Sequence, residues 1–395
     1  MLRPLVLLTS LAIFAGLAIT AVIWSGEPGE SRKLALSLMH GALFGIILQR
    51  SRFCFLCHTR DFIEARDPRG VAAILLALAV GTLGYLVVFG AWLPDPLGGR
   101  LPPDAHIGPS GPVLVLAAFV FGIGMAISGS CISGHLYRLG EGSPTAPFAL
   151  IGTVLGFVAG FQTWNALYVV SIAESPVVWL PAGLGYSNWL FFQLGALGIL
   201  ALVIGKFSRA QPVNSEAASL DPLPRAWRRI VIERWPATVG GAAVGVIGAV
   251  AYFQVQPLGV TAAIGSLART LSSIAGVLPE TLHGLDGFAG CRTAIAAGLS
   301  PNGAFVIALV IASFASALAA TQFRPQWPTI DQALRGVIGG VLLGWGAMTA
   351  IGCTVGTLMS GTMAGAASGW IFLVASFAGV YVALRLGKRL RPVTT

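Results

Sequence analysis

Charge is what this sequence has least of. Only 10% of its 395 residues are Asp, Glu, Lys or Arg, against roughly 25% in a soluble globular domain, which excludes an ordinary water-soluble fold. It also lacks segments of about ten residues with alternating polarity, the signature of a transmembrane barrel strand. No Gly-x-x-x-x-Gly-Lys-Ser/Thr run occurs, so there is no nucleotide-binding loop and no direct ATP drive. Histidine is scarce and dispersed, at positions 40, 58, 106, 135 and 283, without the close array of ligands that zinc needs. Neither a metal nor a cofactor is expected, and the chain does not read as an enzyme. The cysteines are five, Cys54, Cys57, Cys131, Cys291 and Cys353, too few and too far apart for a disulfide scaffold in a chain of this size. Acidic residues fall mostly in loops, which leaves few carboxylates for an intramembrane proton relay and favours a channel-like path.

What is present is apolar. Hydrophobic residues make up 55% of the chain, with 51 Gly and 23 Pro, and the mean hydropathy is +0.82. Continuous apolar runs of about twenty residues are the length of a membrane-crossing helix. They predict helices over 4–24, 33–50, 70–93, 112–130, 145–173, 188–205, 236–254, 302–322, 333–352 and 367–386. Two stretches, 51–69 and 256–301, are too polar or too broken by Gly and Pro to cross. Both are expected to hold short or re-entrant helices, tolerated only where protein shields the backbone. The fold class is therefore an all-α polytopic membrane protein of about ten membrane-crossing helices. The run from Leu5 to Trp24 exceeds the usual signal-peptide core and precedes no small-x-small cleavage site, so it reads as a retained helix.

The formal net charge is +9, but its basic residues sit in short gaps between apolar runs, which is orientation in a lipid bilayer rather than nucleic-acid binding. Lys206, Arg209, Arg225, Arg228, Arg229 and Arg234 crowd the linker 206–235, which separates a first half (1–205) from a second (236–395). Residues 139–205 contain no Lys or Arg, so the loop near 174–187 faces outward. The basic linker, the loop 50–69 and the tail after Tyr381 then lie in the cytoplasm, and both termini with them.

An internal repeat joins the halves. Gly122-Ile-Gly124, six residues, Cys131-Ile-Ser-Gly134 matches Gly344-Trp-Gly346, six residues, Cys353-Thr-Val-Gly356 at one constant offset without a gap. An apolar helix and a broken stretch with its own cysteine precede each, Cys54 in the first half and Cys291 in the second. By the charge argument helix 33–50 and helix 236–254 run in opposite directions, so the halves are expected to be inverted repeats, as in many secondary transporters.

A glycine-rich stretch inside an apolar region interrupts its helix, and the half-helix that follows offers unpaired N–H groups to an anion. Gly129, Gly134, Gly352 and Gly356 mark these interruptions. A thiol in apolar surroundings stays neutral and offers a weak S–H donor, which suits a soft, sulfur-bearing anion. Buried cysteine is often only a small hydrophobe, and glycine-rich helices often only pack closely. The recurrence of both at matched positions of a repeat favours a shared role.

The run Gln49-Arg-Ser-Arg52-Phe-Cys54-Phe with Arg60-Asp61, the Gly-Ser-Cys131-x-x-Gly-His135 segment and the later Gly-Cys353 segment resemble the YeeE/YedE sulphur-transport family of bacterial inner-membrane proteins. The resemblance covers most of residues 33–386. It implies a bundle of inverted repeats pinched in the middle that imports thiosulfate, or in some relatives a selenium species. It further implies that Cys131, Cys291 and Cys353 line the path, with Cys54 beside them, and that a cytoplasmic TusA-like sulfur-carrier protein receives the sulfur. Cys57 falls outside the motif, and Thr357 stands where His135 does in the first half. Arg292, beside Cys291, is expected to attract the anion at the outer entrance, with Arg52 supporting on the other side. Arg269, His283 and Asp286 gather in the same broken stretch as Arg292, where charges at membrane depth are often functional.

Two other readings share these residues. Cys54-Phe-Leu-Cys57-His58 fits a haem-attachment pattern, but five arginines between Arg50 and Arg69 turn it toward the cytoplasm, away from where haem is attached. Cys54 and Cys57 could instead cycle as a dithiol in a transmembrane thiol–disulfide electron carrier. Transport needs these thiols reduced; electron transfer needs them to alternate.

Overall fold

The computed structural model describes residues 2–208, 227–288, 293–296 and 298–390. The elements are α1 (Leu2–Ser25), α2 (Glu30–Ser51), α3 (Phe55–Ala65), α4 (Arg69–Trp92), α5 (Pro112–Ser128), α6 (Ile132–Gly140), α7 (Ala146–Leu167), α8 (Leu180–Phe207), α9 (Ala237–Gln254), α10 (Val260–Ile274), α11 (Pro301–Ala319), α12 (Ile330–Thr349), a π-helical turn (Thr354–Gly361) and α13 (Ala367–Leu390). Among the described residues nine helical stretches are long and apolar enough to cross a membrane, and α12 with the 354–361 turn, bent by 42°, makes a tenth. The fold is thus all-α and polytopic. The polar stretch 51–69 and the broken stretch 256–301 hold the short helices α3 and α10.

The ends of the bundle are fixed by hydrogen bonds between loops. At one end Trp235 N–H donates to the Arg50 carbonyl (2.9 Å) and Arg324 N–H to the Glu141 carbonyl (3.1 Å). At the other, Ser110 N–H donates to Pro176 O (2.8 Å), Leu180 N–H to Gly365 O (2.9 Å) and Tyr252 Oη to Pro103 O (2.8 Å). Following the chain between these ends, α2 and α9 run in opposite directions.

Helix pairing is reciprocal. In the first half α2 packs on α11 and α4 on α9; α7 packs on α12 while α5 packs on α13; and α5 meets α12. Exchanging the halves maps this pattern onto itself, as a two-fold axis between inverted repeats requires. The glycines of the repeated motif carry the α5–α12 contact. A Cβ on Gly124 would come within 2.8 Å of Gly339 O and of Leu343 N, and one on Gly346 within 2.7 Å of Ala117 O and 2.9 Å of the Phe121 side chain. Those partners are related by the same sequence offset as the glycines, so the constant spacing in the sequence is a packing constraint. Small residues let helix backbones approach closely in lipid, where hydrophobic burial supplies no drive between helices. Outward faces stay apolar, with Val87, Val170, Phe191 and Leu202 exposed, consistent with contact with lipid tails.

Candidate functional site

Three cysteines begin three short helices. Cys54 is the N-cap of α3, Cys131 of α6 and Cys353 of the 354–361 turn, and each has an extended backbone. The first residue past α5 is Gly129 at φ 88°, a left-handed conformation that L side chains resist. It ends the helix and lets the chain extend through Ser130 into Cys131. The fourth such position, the N-cap of α10, is Gly259, so by element order a glycine and not a cysteine answers Cys54 in the second half.

These breaks meet in the buried middle of the bundle. Cys54 Sγ lies 3.9 Å from Cys131 Sγ and 3.3 Å from Ser130 Oγ, and Cys131 Sγ lies 3.4 Å from Ser133 Oγ. Gly134 makes room for the Ser130 hydroxyl and for the pair: a Cβ there would run into Ser130 Oγ and stand 3.1 Å from Cys54 Sγ and 3.3 Å from Cys131 Sγ. Cys353 Sγ accepts the Val355 N–H at 3.4 Å and faces the Thr261 side chain at the start of α10. All three thiols are buried and free. A cavity of about 20 Å³ separates the two sides, walled by Phe44, Phe53, Cys131, Ser133, Thr354 and Met359. That is room for about one water, so the middle is closed to an ion. At the end that holds the 93–111 loop, a wider cavity of about 310 Å³ is lined by Asp104, Gln256, Gly259, Ser266, Asp286 and Asn302. It reaches Gly259, at the head of α10, two residues from the Thr261 that faces Cys353.

The remaining expected residues are placed as follows. Gly356 and Gly352 are buried beside Cys353, Gly352 at φ 149°. Arg52 caps α2 in the left-handed region and is exposed. Cys291 and Arg292 lie outside the described residues. Of their neighbours, Arg269 forms a 2.6 Å salt bridge with Asp286 and also donates to the Thr293 carbonyl. This pair ties α10 to the segment after it. His135 Nε2 meets Ser128 Oγ at 3.0 Å across the α5–α6 break and ties the two helices together. Among the described residues no group of His, Cys, Asp and Glu could hold a metal ion.

Sequence reasoning passed over Ser130, Thr261 and Arg138. Ser130 stands in the Gly-Ser-Cys131 motif itself. Arg138 follows Cys131 by two helical turns and donates from Nη2 to Cys57 Sγ at 2.9 Å; its spacing from Cys131 was the available signal. Thr261 had none, because only the fold brings α10 to Cys353.

A family model described as "Sulphur transport" matches residues 50–382. The thiosulfate transporter TsuA of Escherichia coli K12 is 26% identical over 365 residues, covering 88% of this chain and 92% of that protein. The thiosulfate transporter TsuA of Spirochaeta thermophila is 28% identical over 369 residues, covering 89% and 94%. The probable transporter YedE of E. coli K12 matches over 133 residues at 27% identity, about a third of each chain (34% and 31%). Matched over residues 50–382 by the family model, this chain belongs to the sulphur-transport (YeeE/YedE) family.

Proposed function

We propose that this protein carries thiosulfate inward across the bacterial inner membrane along a central path lined by neutral thiols. The observation that carries this reading is the placement of Cys54, Cys131 and Cys353 at three helix N-termini in the buried middle of the bundle, with Cys131 and the chain neighbours of Cys54 and Cys353 walling one small cavity. Helix N-termini favour an anion, and neutral S–H groups donate weak hydrogen bonds to a soft sulfur without the repulsion of a thiolate. Each thiol acts as a donor, not a covalent nucleophile. The similarity to two proteins named thiosulfate transporters supports the choice of ion. Cys291 and Arg292 belong to the outer part of this path in the same reading.

The end that carries Arg50, Arg52, Arg66, Arg69, Arg324 and Arg335 is the cytoplasmic one by its basic excess, which puts both termini inside and the 310 Å³ vestibule outside. The basic linker 206–235 between the two halves is then cytoplasmic. With no nucleotide-binding loop, a gradient or consumption of the ion inside supplies the drive, and a TusA-like sulfur carrier is the expected receiver.

A second reading, electron transfer through a dithiol, is favoured by the contacts of Cys54 with Cys131 and with Cys57. Uptake of labelled thiosulfate by cells without their own transporters, with sulfate as control, decides between them. Accumulation lost in Cys131→Ala supports the thiol path. No accumulation, with Cys54 and Cys57 found alternating between thiol and disulfide, supports electron transfer.

A further inference from the structure

We propose that Arg138 and Cys57 form an anion-holding station on the cytoplasmic side of the closed cavity, where a doubly charged sulfur oxyanion rests after leaving Cys54 and Cys131. This extends the transport reading above and rests on it for the identity of the ion.

Arg138 is a cation without an ion-pair partner among the described residues. Arg138 stands on α6, two turns beyond its N-cap Cys131. Its three nitrogens donate to Cys57 Sγ (2.9 Å), Gly129 O (3.2 Å) and Tyr137 Oη (3.3 Å), and its guanidinium lies 5.9 Å from the centre of the Tyr137 ring. Every partner is neutral or a ring face, and among the described residues Arg138 forms no salt bridge. The nearest carboxylate along α6, Glu141, accepts instead from Gln49 Nε2 at 3.2 Å. On α3, the Asp61 carboxylate is paired with Arg60 at 3.2 Å. A half-buried guanidinium without a carboxylate is costly at membrane depth and is kept where function needs it.

The location explains the need. Gly129, which receives one of the three bonds, is the hinge of the α5–α6 break, and Cys57 lies one turn along α3 from Cys54. The station therefore touches both elements that present the Cys54 and Cys131 thiols. Neutral thiols bind a dianion weakly, so an ion moving inward is drawn on by the first uncompensated positive charge. A guanidinium fork matches the oxygens of a sulfur oxyanion better than a point charge does. Cys57 is half-buried where the other three described cysteines are buried, which makes it a probe of the local field.

The experiment modifies Cys57 in the purified full-length protein with two methanethiosulfonate reagents, one bearing a sulfonate and one a trimethylammonium group. Each rate is divided by that of the same reagent with a free thiol, and modification is read by peptide mass. The expected result is a preference for the anionic reagent of about tenfold, slowed by added thiosulfate, lost in Arg138→Gln and retained in Arg138→Lys. Equal rates in the unaltered protein, no reaction with either reagent, or a preference unchanged by Arg138→Gln overturns the station. The first two need no variant, so a misfolded substitution does not rescue the idea. Uptake of labelled thiosulfate without the charge preference removes the station alone, whereas the preference without uptake removes the transport reading and leaves an anion site.

Discussion

Cys54 Sγ and Cys131 Sγ lie 3.9 Å apart at the heads of two short helices, although 77 residues separate them in the chain. The contact is made because α2 and α5 both stop short, α2 at the left-handed Arg52 and α5 at Gly129. The extended segments that follow then turn into the same buried space. A disulfide needs the sulfurs at about 2.05 Å, so the pair is close to bonding range without being bonded.

Oxidation should therefore act on transport. Mild oxidant is expected to link Cys54 to Cys131, detectable as a cross-linked peptide pair, and to stop thiosulfate uptake until a reductant restores it. Uptake that continues after the cross-link has formed would show that the ion does not pass these thiols.

Substitution of the thiols separates roles. Cys131→Ala and Cys353→Ala are expected to abolish uptake with unchanged amounts of folded protein in the membrane, since each removes one sulfur and its donor. Cys57→Ala should be mild, because Arg138 keeps its charge. Normal uptake by Cys131→Ala would break the relay, though not the family assignment.

Gly134→Ala drives one carbon into the Ser130 hydroxyl, which must turn away, and sets it against both sulfurs. Overpacking of this kind costs about 1–3 kcal/mol, and here it also fills the place where an ion must stand between Cys54 and Cys131. Uptake should fall far more than thermal stability does. A variant with a lowered melting point and full uptake would place the path elsewhere.

The reciprocal glycines test the two-fold packing. Gly124→Ala and Gly346→Ala each push a Cβ into the facing backbone or side chain, at a cost of about 1–3 kcal/mol. Because the two sites are equivalent, the losses in melting temperature of the detergent-purified protein should be similar. A large loss at one site and none at the other would contradict the symmetry.

His106 sets a pH dependence. It lies in the loop before α5, and burial pushes its pKa down to about 4 from the ordinary value near 6.5. The folded state thus holds the neutral ring. Stability is full above the unfolded pKa and is lost as pH falls through the window from about 6.5 toward about 4. At the low end the loss is about 3 kcal/mol. His106→Gln should flatten the fall in melting temperature between pH 7 and pH 4; an unchanged slope would assign it to other groups.

Much of this was legible in the sequence because a bilayer imposes simple rules. The apolar runs matched helices to within a few residues at most ends, the largest difference being α8, which begins at Leu180 and bends at Gly185 (φ 72°). Period and length suffice there, since every buried backbone group in lipid must be bonded within its own helix. The gapless match of Gly122, Gly124 and Cys131 with Gly344, Gly346 and Cys353 carried the repeat, because close helix packing allows no change of spacing. Tertiary structure alone decided which residues meet. It put Gly259 rather than a cysteine at the head of α10, brought Thr261 to Cys353, and set Arg138 against Cys57 without a salt bridge among the described residues. Those contacts cross gaps of tens of residues between helices, and the direction each short helix takes after its break depends on how the neighbouring helices pack, which no local pattern of residue types records.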